Sequence, residues 1–362
     1  MLHGAMAASF AGRIPALQEG LHLAAGELGL ALLMVSLGCV STMQYGAVVA
    51  QRLGQRAVLL ACFVCWAVLL PLVAVAPSVL LLCVLLFLVG VGSGNADVAM
   101  NALGVNVERR VGRSIMSGLH GLWSVGGVGG AAIAALCAHQ GISPVRQFSG
   151  VGLVAVVVAV LCWPRWDEPV TGRSPHHSSG FAWPTRRVLV IGLIAFSAVF
   201  VEFSGTDWSA VFLRDVTSAS PGTAALGVVA VASAMALGRL TGDFVVRRVG
   251  AVATVRTGGL VVIVGVGVLL TTSDSWSGIV AFGLVGLGVS TAVPLAFAAA
   301  GRIGGDHPGH QIAAVATLGY GAGMASPFLI GLVTQLSSIQ VAFGIVGLLA
   351  LSIVALAPRL RT

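Results

Sequence analysis

The residues of this chain that could do chemistry are a few polar side chains inside long apolar segments. Asp97 stands in one such segment, with Asn95 two residues before it and Asn101 four residues after it on the same helix face. A charge at the centre of a membrane helix costs about 2.5–3.5 kcal/mol on insertion scales, so few are kept without a use. We therefore predict that these side chains bind a polar solute or a proton.

His120 is a candidate partner for Asp97. Glu108 and Arg113 lie in the predicted loop between the segments that carry Asp97 and His120. Asp97 is 11 residues before Glu108, about 16 Å along a helix, and His120 is 7 residues after Arg113, about 10 Å into the next, oppositely directed segment. The two side chains should lie at comparable depths on sequence-adjacent helices, so they could meet. Such a pair could relay a proton or act as a gate; the alternative is a static hydrogen-bonded pair that fixes helix packing.

A later apolar segment carries two more carboxylates. Glu202 and Asp207 flank Ser204 and Gly205, where the helix could break and expose backbone groups to a cavity. We expect Glu202 in the outer half of the membrane, as a contact for solute or proton. Asp207 should lie near the outer boundary, where a solvated helix end is the alternative reading.

Other polar residues carry weaker or structural predictions. Arg239 and Asp243 are four residues apart near a cytoplasmic helix end, and we expect a structural ion pair between them. Amphipathic side chains that could line a solute cavity, or simply pack, are Gln44, Tyr45, Trp123 and Tyr320.

The sequence predicts neither a metal nor a cofactor. Cys62 and Cys65 form a CxxC pair, but no second pair and no nearby histidine completes a site. We interpret the cysteines as small apolar side chains in helices. The glycine run at residues 90–94 lies inside an apolar segment with no preceding strand, so it indicates helix packing and not nucleotide binding.

The elements that must position these residues are membrane helices. Hydrophobic residues make up 57% of the 362 residues and charged ones 9%, against about 25% charged in soluble domains; the mean hydropathy is +1.01. Eleven segments are long enough to cross a bilayer, at residues 27–50, 57–76, 79–104, 114–137, 147–163, 187–212, 223–246, 253–272, 277–300, 310–334 and 339–357. A twelfth, at residues 2–11, is half that length.

The two halves of the chain repeat each other in parallel. LVGVG at residues 88–92 recurs as LVGLG at 284–288, and RLG at 52–54 recurs as RVG at 248–250, each 196 residues later. Parallel repeats are typical of secondary transporters whose site lies between the halves. We predict a bundle at residues 1–163, a cytoplasmic linker at 164–186 and a second bundle at 187–362. In this repeat the first span is the counterpart of the seventh, and its start should fall about ten residues before Met1. We therefore expect that the first span is truncated at its N-terminus.

All the basic residues are arginines, and their distribution predicts orientation. Fifteen of the 19 lie in alternate loops or at the C-terminus, and only Arg13, Arg146 and Arg214 lie in the opposite loops. The first set should be cytoplasmic. Arginines in short loops without clustered aromatics do not indicate nucleic-acid binding.

Several motifs resemble one transporter family. Residues 13–17, 94–101, 107–116, 120–124 and 207–215 are similar to the MosC/YbjJ-like branch of the major facilitator superfamily. The resemblance implies an all-α integral membrane fold of 12 spans in two six-helix bundles related by a pseudo-two-fold axis. It also implies cytoplasmic loop motifs at Arg52, Gly54, Arg56, Glu108, Arg113, Arg239, Asp243, Arg248 and Gly250. The usual acidic residue before the basic one is absent in the first copy, where Gln51 precedes Arg52.

Together these features predict a multi-pass transporter in the plasma membrane of a bacterium, with its C-terminus in the cytoplasm. We predict a monomer in the lipid bilayer that moves a small polar organic solute by alternating access coupled to protons. It should be neither an enzyme nor a nucleic-acid-binding protein. The alternatives are a drug or metabolite exporter of the same fold, and a truncated membrane protein that does not transport.

Overall fold

The computed structural model describes residues 1–112, 116–163, 185–303 and 308–361, without the side chains of several residues inside helices. These ranges are helical and contain no strand. The helices of the first half are α1 (Leu2–Ala11), α2 (Ile14–Gly20), α3 (Ala25–Leu53), α4 (Gln55–Val73), α5 (Val79–Val111), α6 (Met116–His139) and α7 (Pro144–Cys162). Those of the second half are α8 (Arg186–Thr217), α9 (Pro221–Val249), α10 (Ala251–Thr271), α11 (Ser275–Val289), α12 (Ala292–Ile303), α13 (Pro308–Leu336) and α14 (Ile339–Leu356), and a 3₁₀ turn follows at Ala357–Leu360.

Eleven helical segments in the described ranges are long and apolar enough to cross a membrane, which confirms the predicted spans. The helix α1, with 10 residues, is shorter than a bilayer requires. One predicted span is interrupted, because α11 ends at Val289 and α12 begins at Ala292. The cause is Pro294, whose ring lacks an N–H and collides with the carbonyl four residues earlier, that of Ser290.

The internal repeat extends to the backbone. Gly54 between α3 and α4 has φ +85°, and Gly250 between α9 and α10 has φ +84°. Only glycine adopts this conformation without strain. The two turns, with their neighbours Arg52 and Arg248, define what we call the Arg-rich end of the molecule. The opposite end is called the Arg-poor end.

Glycines bring neighbouring helix backbones into direct contact. On α6, Gly126 and Gly130 lie against the carbonyl groups of Met1 and Ala5, so that any side chain there would collide with α1. On α5, Gly90 lies against the carbonyl group of Val35 in α3. The packing role predicted for the glycine run at residues 90–94 is thus confirmed, and small residues let membrane helices approach this closely.

The first and second halves meet mainly through α3 with α13 and α6 with α9. Near the Arg-poor end the backbone N–H of Gly26 donates to Gln335 (3.0 Å), and Arg214 donates to Gln18 (2.7 Å). Deeper in the molecule the hydroxyl of Ser36 donates to the carbonyl of Gly323 (3.0 Å). These three hydrogen bonds between the halves lie at mid-depth and near the Arg-poor end.

Candidate functional site

An ion pair lies at the middle of the molecule. Glu202 stands at the midpoint of α8, which has 32 residues. Its two carboxylate oxygens accept from Nη2 of Arg239 in α9, at 2.9 Å and 3.1 Å. The Glu202 side chain is 22% exposed and that of Arg239 27% exposed. The pair is thus only partly buried by the protein.

The local sequence explains why these two side chains meet. Thr185 caps α8 and Ser220 caps α9, each accepting from a backbone N–H of the first turn. The two helices are joined by a short turn, so they run antiparallel. From that turn Glu202 is 15 residues back and Arg239 is 18 residues on, about 23 Å and 27 Å along their axes.

Two expectations from the sequence are corrected here. The partner of Arg239 is Glu202 and not Asp243, which is exposed and forms no ion pair within the described ranges. Glu202 lies at mid-depth and not in the outer half, because α8 continues five residues beyond the predicted span, to Thr217. The first prediction relied on the four-residue spacing alone, and the second on a helix end that was set too early.

Asp207 lies deeper than expected for the same reason. It is 10 residues from the end of α8 and about 8 Å from the helix midpoint. Its side chain is half-buried, and its carboxyl group forms no hydrogen bond or ion pair with the described part of the chain. The reading of Asp207 as a solvated helix end does not fit this depth.

A series of polar contacts continues from the ion pair into the first half. Nη1 of Arg239 is 3.5 Å from the hydroxyl of Ser124 in α6. The neighbouring Trp123 donates its indole N–H to Nδ1 of His3 in α1 (2.9 Å), and Nε2 of His3 is 3.0 Å from the hydroxyl of Ser93 in α5. We call Glu202, Arg239, Ser124, Trp123, His3 and Ser93 the central network. It links helices α8, α9, α6, α1 and α5.

Asp97 stands one helical turn beyond Ser93 and faces a second polar cluster. His120 of α6 and Tyr320 of α13 lie within electrostatic range of its carboxyl group. Asn101 donates to the backbone carbonyl of Asp97 (2.9 Å). No hydrogen bond or ion pair joins Asp97 and His120 among the described residues, so their pairing stays a prediction.

The remaining cavity candidates lie outside the central network. Asn95 donates to the carbonyl of Val91 on its own helix (3.0 Å), and its side-chain oxygen faces Gly46 of α3. This side chain therefore lies in the α3–α5 contact. Tyr45 is 67% exposed and Tyr320 is 44% exposed. The side chain of Gln44 lies outside the described part of the structure.

Arg239, predicted as a cytoplasmic loop-motif residue, lies instead in the central network, and the other described loop-motif residues lie toward the Arg-rich end. Arg52 is in the last turn of α3 and Arg56 in the first turn of α4. In the second copy the guanidinium of Arg248 lies 4.6 Å from the centre of the Phe244 ring. Glu108 is near the end of α5, and Arg113 is outside the described residues.

Sequence reasoning missed three members of the central network, namely His3, Ser93 and Ser124. A signal for His3 was available, because an ionisable side chain inside the apolar helix α1 is itself a candidate site. Ser93 and Ser124 gave no such signal, since serines are common inside membrane helices. Within the described ranges no group of three or more His, Cys, Asp and Glu side chains is arranged to hold a metal.

Comparison with known proteins gives consistent results for sequence and fold. A family profile described as Major Facilitator Superfamily matches residues 1–327. An uncharacterized MFS-type transporter of Yersinia pestis is 34% identical, over 96% of this chain and 90% of that protein. Membrane protein MosC of Rhizobium meliloti is 24% identical, over 92% of this chain and 81% of that protein.

Two solved structures have similar folds. The nucleoside transporter NupG superimposes with a TM-score of 0.72 at 13% identity, over 99% of this chain and 95% of that chain. A bacterial homolog of the human lysosomal transporter Spinster, in an inward-facing and occupied conformation, superimposes with a TM-score of 0.65 at 15% identity, over 99% and 93% of the two chains.

Proposed function

Because the chain belongs to the major facilitator superfamily, we propose that it is a proton-coupled secondary transporter of a small polar organic solute. The observation that carries the proposal is the central network, which crosses from the second half to the first at mid-depth. Polar groups are costly in a bilayer and are kept where a polar solute or ion must pass. In this proposal the side chains of the central network bind the solute, and they exchange hydrogen-bond partners during the transport cycle.

We propose that residues 1–163 and 187–362 move as two bundles about this network. The positive-inside rule favours a cytoplasmic Arg-rich end and a cytoplasmic C-terminus, in a bacterial plasma membrane. The hydrogen bonds between the halves from mid-depth to the Arg-poor end support a conformation that is closed at the Arg-poor end. Transport would require these hydrogen bonds to break while the two halves approach each other at the Arg-rich end. We propose that one chain does this as a monomer.

The chemistry of the network favours an uncharged solute with several hydrogen-bonding groups. Glu202 and Arg239 neutralise each other, so the pair offers acceptors and donors without a net charge. A charged solute would have to displace one partner and leave the other unpaired, which is costly at this depth. NupG is a nucleoside transporter, which makes nucleosides one class to test beside sugars, polyols and amino acids.

A solute screen in proteoliposomes tests this function. We expect one class of solutes to enter with protons, seen as a change in an external pH-sensitive dye when the solute is added. Asp97 is the candidate carboxyl group for the coupling step, so Asp97→Asn should abolish accumulation driven by a pH gradient while solute exchange persists. Asp243→Asn is the matched control, since Asp243 is exposed and outside the network.

The outcomes separate the parts of the proposal. Uptake without any proton movement would overturn proton coupling. Unchanged gradient-driven accumulation in Asp97→Asn would remove Asp97 from the coupling step. Uptake only of charged solutes would contradict the argument from the neutral Glu202–Arg239 pair.

A further inference from the structure

The hydrogen bonds of His3 determine its protonation state. An indole N–H can only donate, so Nδ1 of His3, which is 2.9 Å from Nε1 of Trp123, must be an unprotonated acceptor. A neutral imidazole carries one proton, and here it must be on Nε2. From Nε2 it is donated to the hydroxyl of Ser93 at 3.0 Å.

This arrangement is compatible only with a neutral ring. In an imidazolium both nitrogens donate, so protonated Nδ1 and the Trp123 indole N–H would face each other as two donors. His3 is 8% exposed, and the ring of Trp66 lies against it with 5.2 Å between ring centres. A proton on His3 must therefore break the bond to Trp123, and the indole must move or find another acceptor.

Trp123 is placed to pass this change to the contact between the halves. It precedes Ser124, whose hydroxyl is 3.5 Å from Nη1 of Arg239 in α9. The neighbouring Gly121 faces Leu240 of α9. A shift of α6 at Trp123 would alter the α6–α9 contact directly.

We propose that His3 is a second proton-binding residue, which takes a proton from water at Nδ1 and thereby releases Trp123 and the α6–α9 contact. The proton stays on the ring as imidazolium, and Nε2 keeps its bond to Ser93. This inference rests on the proposed proton-coupled transport and adds the group that links a proton to the movement of the halves.

The charged and titratable groups around His3 are few. The amino group of Met1 lies on its own helix and opposes a positive ring. On α5, Asp97 is one turn beyond Ser93, and on α6, His120 is one turn before Trp123 and Ser124. Trp66 on α4 carries no charge, and its neighbour Cys65 is a thiol. The Glu202–Arg239 pair lies beyond Ser124 and is neutral overall.

Nitrogen-15 NMR of histidine-labelled protein in nanodiscs tests the inference without any solute. His3→Gln identifies the His3 signals. At pH 8 we expect the neutral ring with its proton on Nε2, and conversion to imidazolium as the pH falls toward 5. A ring that carries its proton on Nδ1, or that stays neutral to pH 4.5 in folded protein, would overturn the proposal.

Two variants should shift the His3 midpoint in opposite directions. The Trp123 bond exists only with the neutral ring, so Trp123→Phe should raise the midpoint by about 1 pH unit. The Ser93 bond is stronger with the charged ring, so Ser93→Ala should lower it by a similar amount. Equal midpoints in both variants would mean that neither bond controls the proton. This pair carries the test even if His3→Gln does not fold.

The link to the α6–α9 contact is measured separately. In a cysteine-free background, spin labels on Leu119→Cys in α6 and Leu240→Cys in α9, both exposed positions, should move apart when the pH falls from 7.5 to 5.5, and His3→Gln should remove that difference. If the difference persists, the proton acts elsewhere and the inference fails, while the proposed transport stands. If His3 titrates as expected but no solute moves protons, the proton site stands and the proposed transport fails.

Discussion

The strongest prediction about stability concerns the Glu202–Arg239 pair. Removing one partner from a fully buried ion pair costs about 3–5 kcal/mol, because the other charge is left unpaired. Here the side chains are 22% and 27% exposed, so water can solvate part of the remaining charge. We therefore expect Glu202→Gln or Arg239→Gln alone to cost about 2 kcal/mol, within the range for hydrogen bonds to charged groups.

The double variant separates the pair from its surroundings. Glu202→Gln with Arg239→Gln leaves no unpaired charge, so its cost should be close to that of one single variant. The coupling between the two positions should then be at least about 1 kcal/mol, above the 0.5 kcal/mol expected of independent sites. Reversible unfolding by sodium dodecyl sulfate in mixed micelles measures these free energies.

Asp243→Asn is the control. Asp243 is four residues from Arg239 on the same helix, yet it is exposed and Arg239 bonds to Glu202. A surface change of this kind should stay within about 0.5 kcal/mol. If Asp243→Asn couples to Arg239 more strongly than Glu202→Gln does, the short-range pair exists and the reasoning from the observed contacts is wrong.

Two further predictions concern helix contacts and acid stability. Gly126→Ala or Gly130→Ala should lower the free energy of unfolding by about 2 kcal/mol or more, because the added carbon collides with the backbone of α1. Gly129→Ala, with open space around it, should be neutral or stabilising. Equal losses of stability at all three positions would contradict the packing argument. The backbone N–H and hydroxyl of Ser277 donate to Asp274 and lower the pKa of its carboxyl group. The charged Asp274 carboxylate therefore stabilises the fold at pH values above the ordinary pKa of about 3.9. This stabilisation is lost as the pH falls through the lowered pKa of Asp274 in the folded protein. Thermal unfolding between pH 2.5 and 5 should show a smaller pH dependence in Asp274→Asn, and an unchanged slope would refute this assignment.

Much of the fold follows from the sequence because hydropathy and repeats act over whole segments. The eleven spans follow from runs of about 20 apolar residues, and the repeated RLG and RVG motifs mark turns with the same positive φ at Gly54 and Gly250. The break at Ser290 was not predicted, although Pro294 is its cause. A proline in an apolar run can kink a membrane helix or interrupt it, and packing decides which.

The candidate site was predicted only in part, because partners depend on helix depth and rotation. Asp97 and Glu202 stood out as isolated carboxylates, and their neighbourhood in the fold is polar. The partner of Arg239 was missed, since a pair four residues apart is visible in sequence and one 37 residues apart is not. His3 joins Ser93 and Trp123 across 90 and 120 residues, which only the tertiary packing of α1 determines.

The interruption between α11 and α12 has a mechanical consequence. A helix that lacks one of its backbone hydrogen bonds bends at lower energetic cost than a continuous helix. The repeat pairs this interrupted span with α5, which is continuous over 33 residues. The two halves therefore repeat the same span with different continuity. In the first half this span is one continuous helix, and in the second half it is interrupted at Ser290. We therefore expect the second half to bend at Ser290 more readily than the first half bends at the matching part of α5.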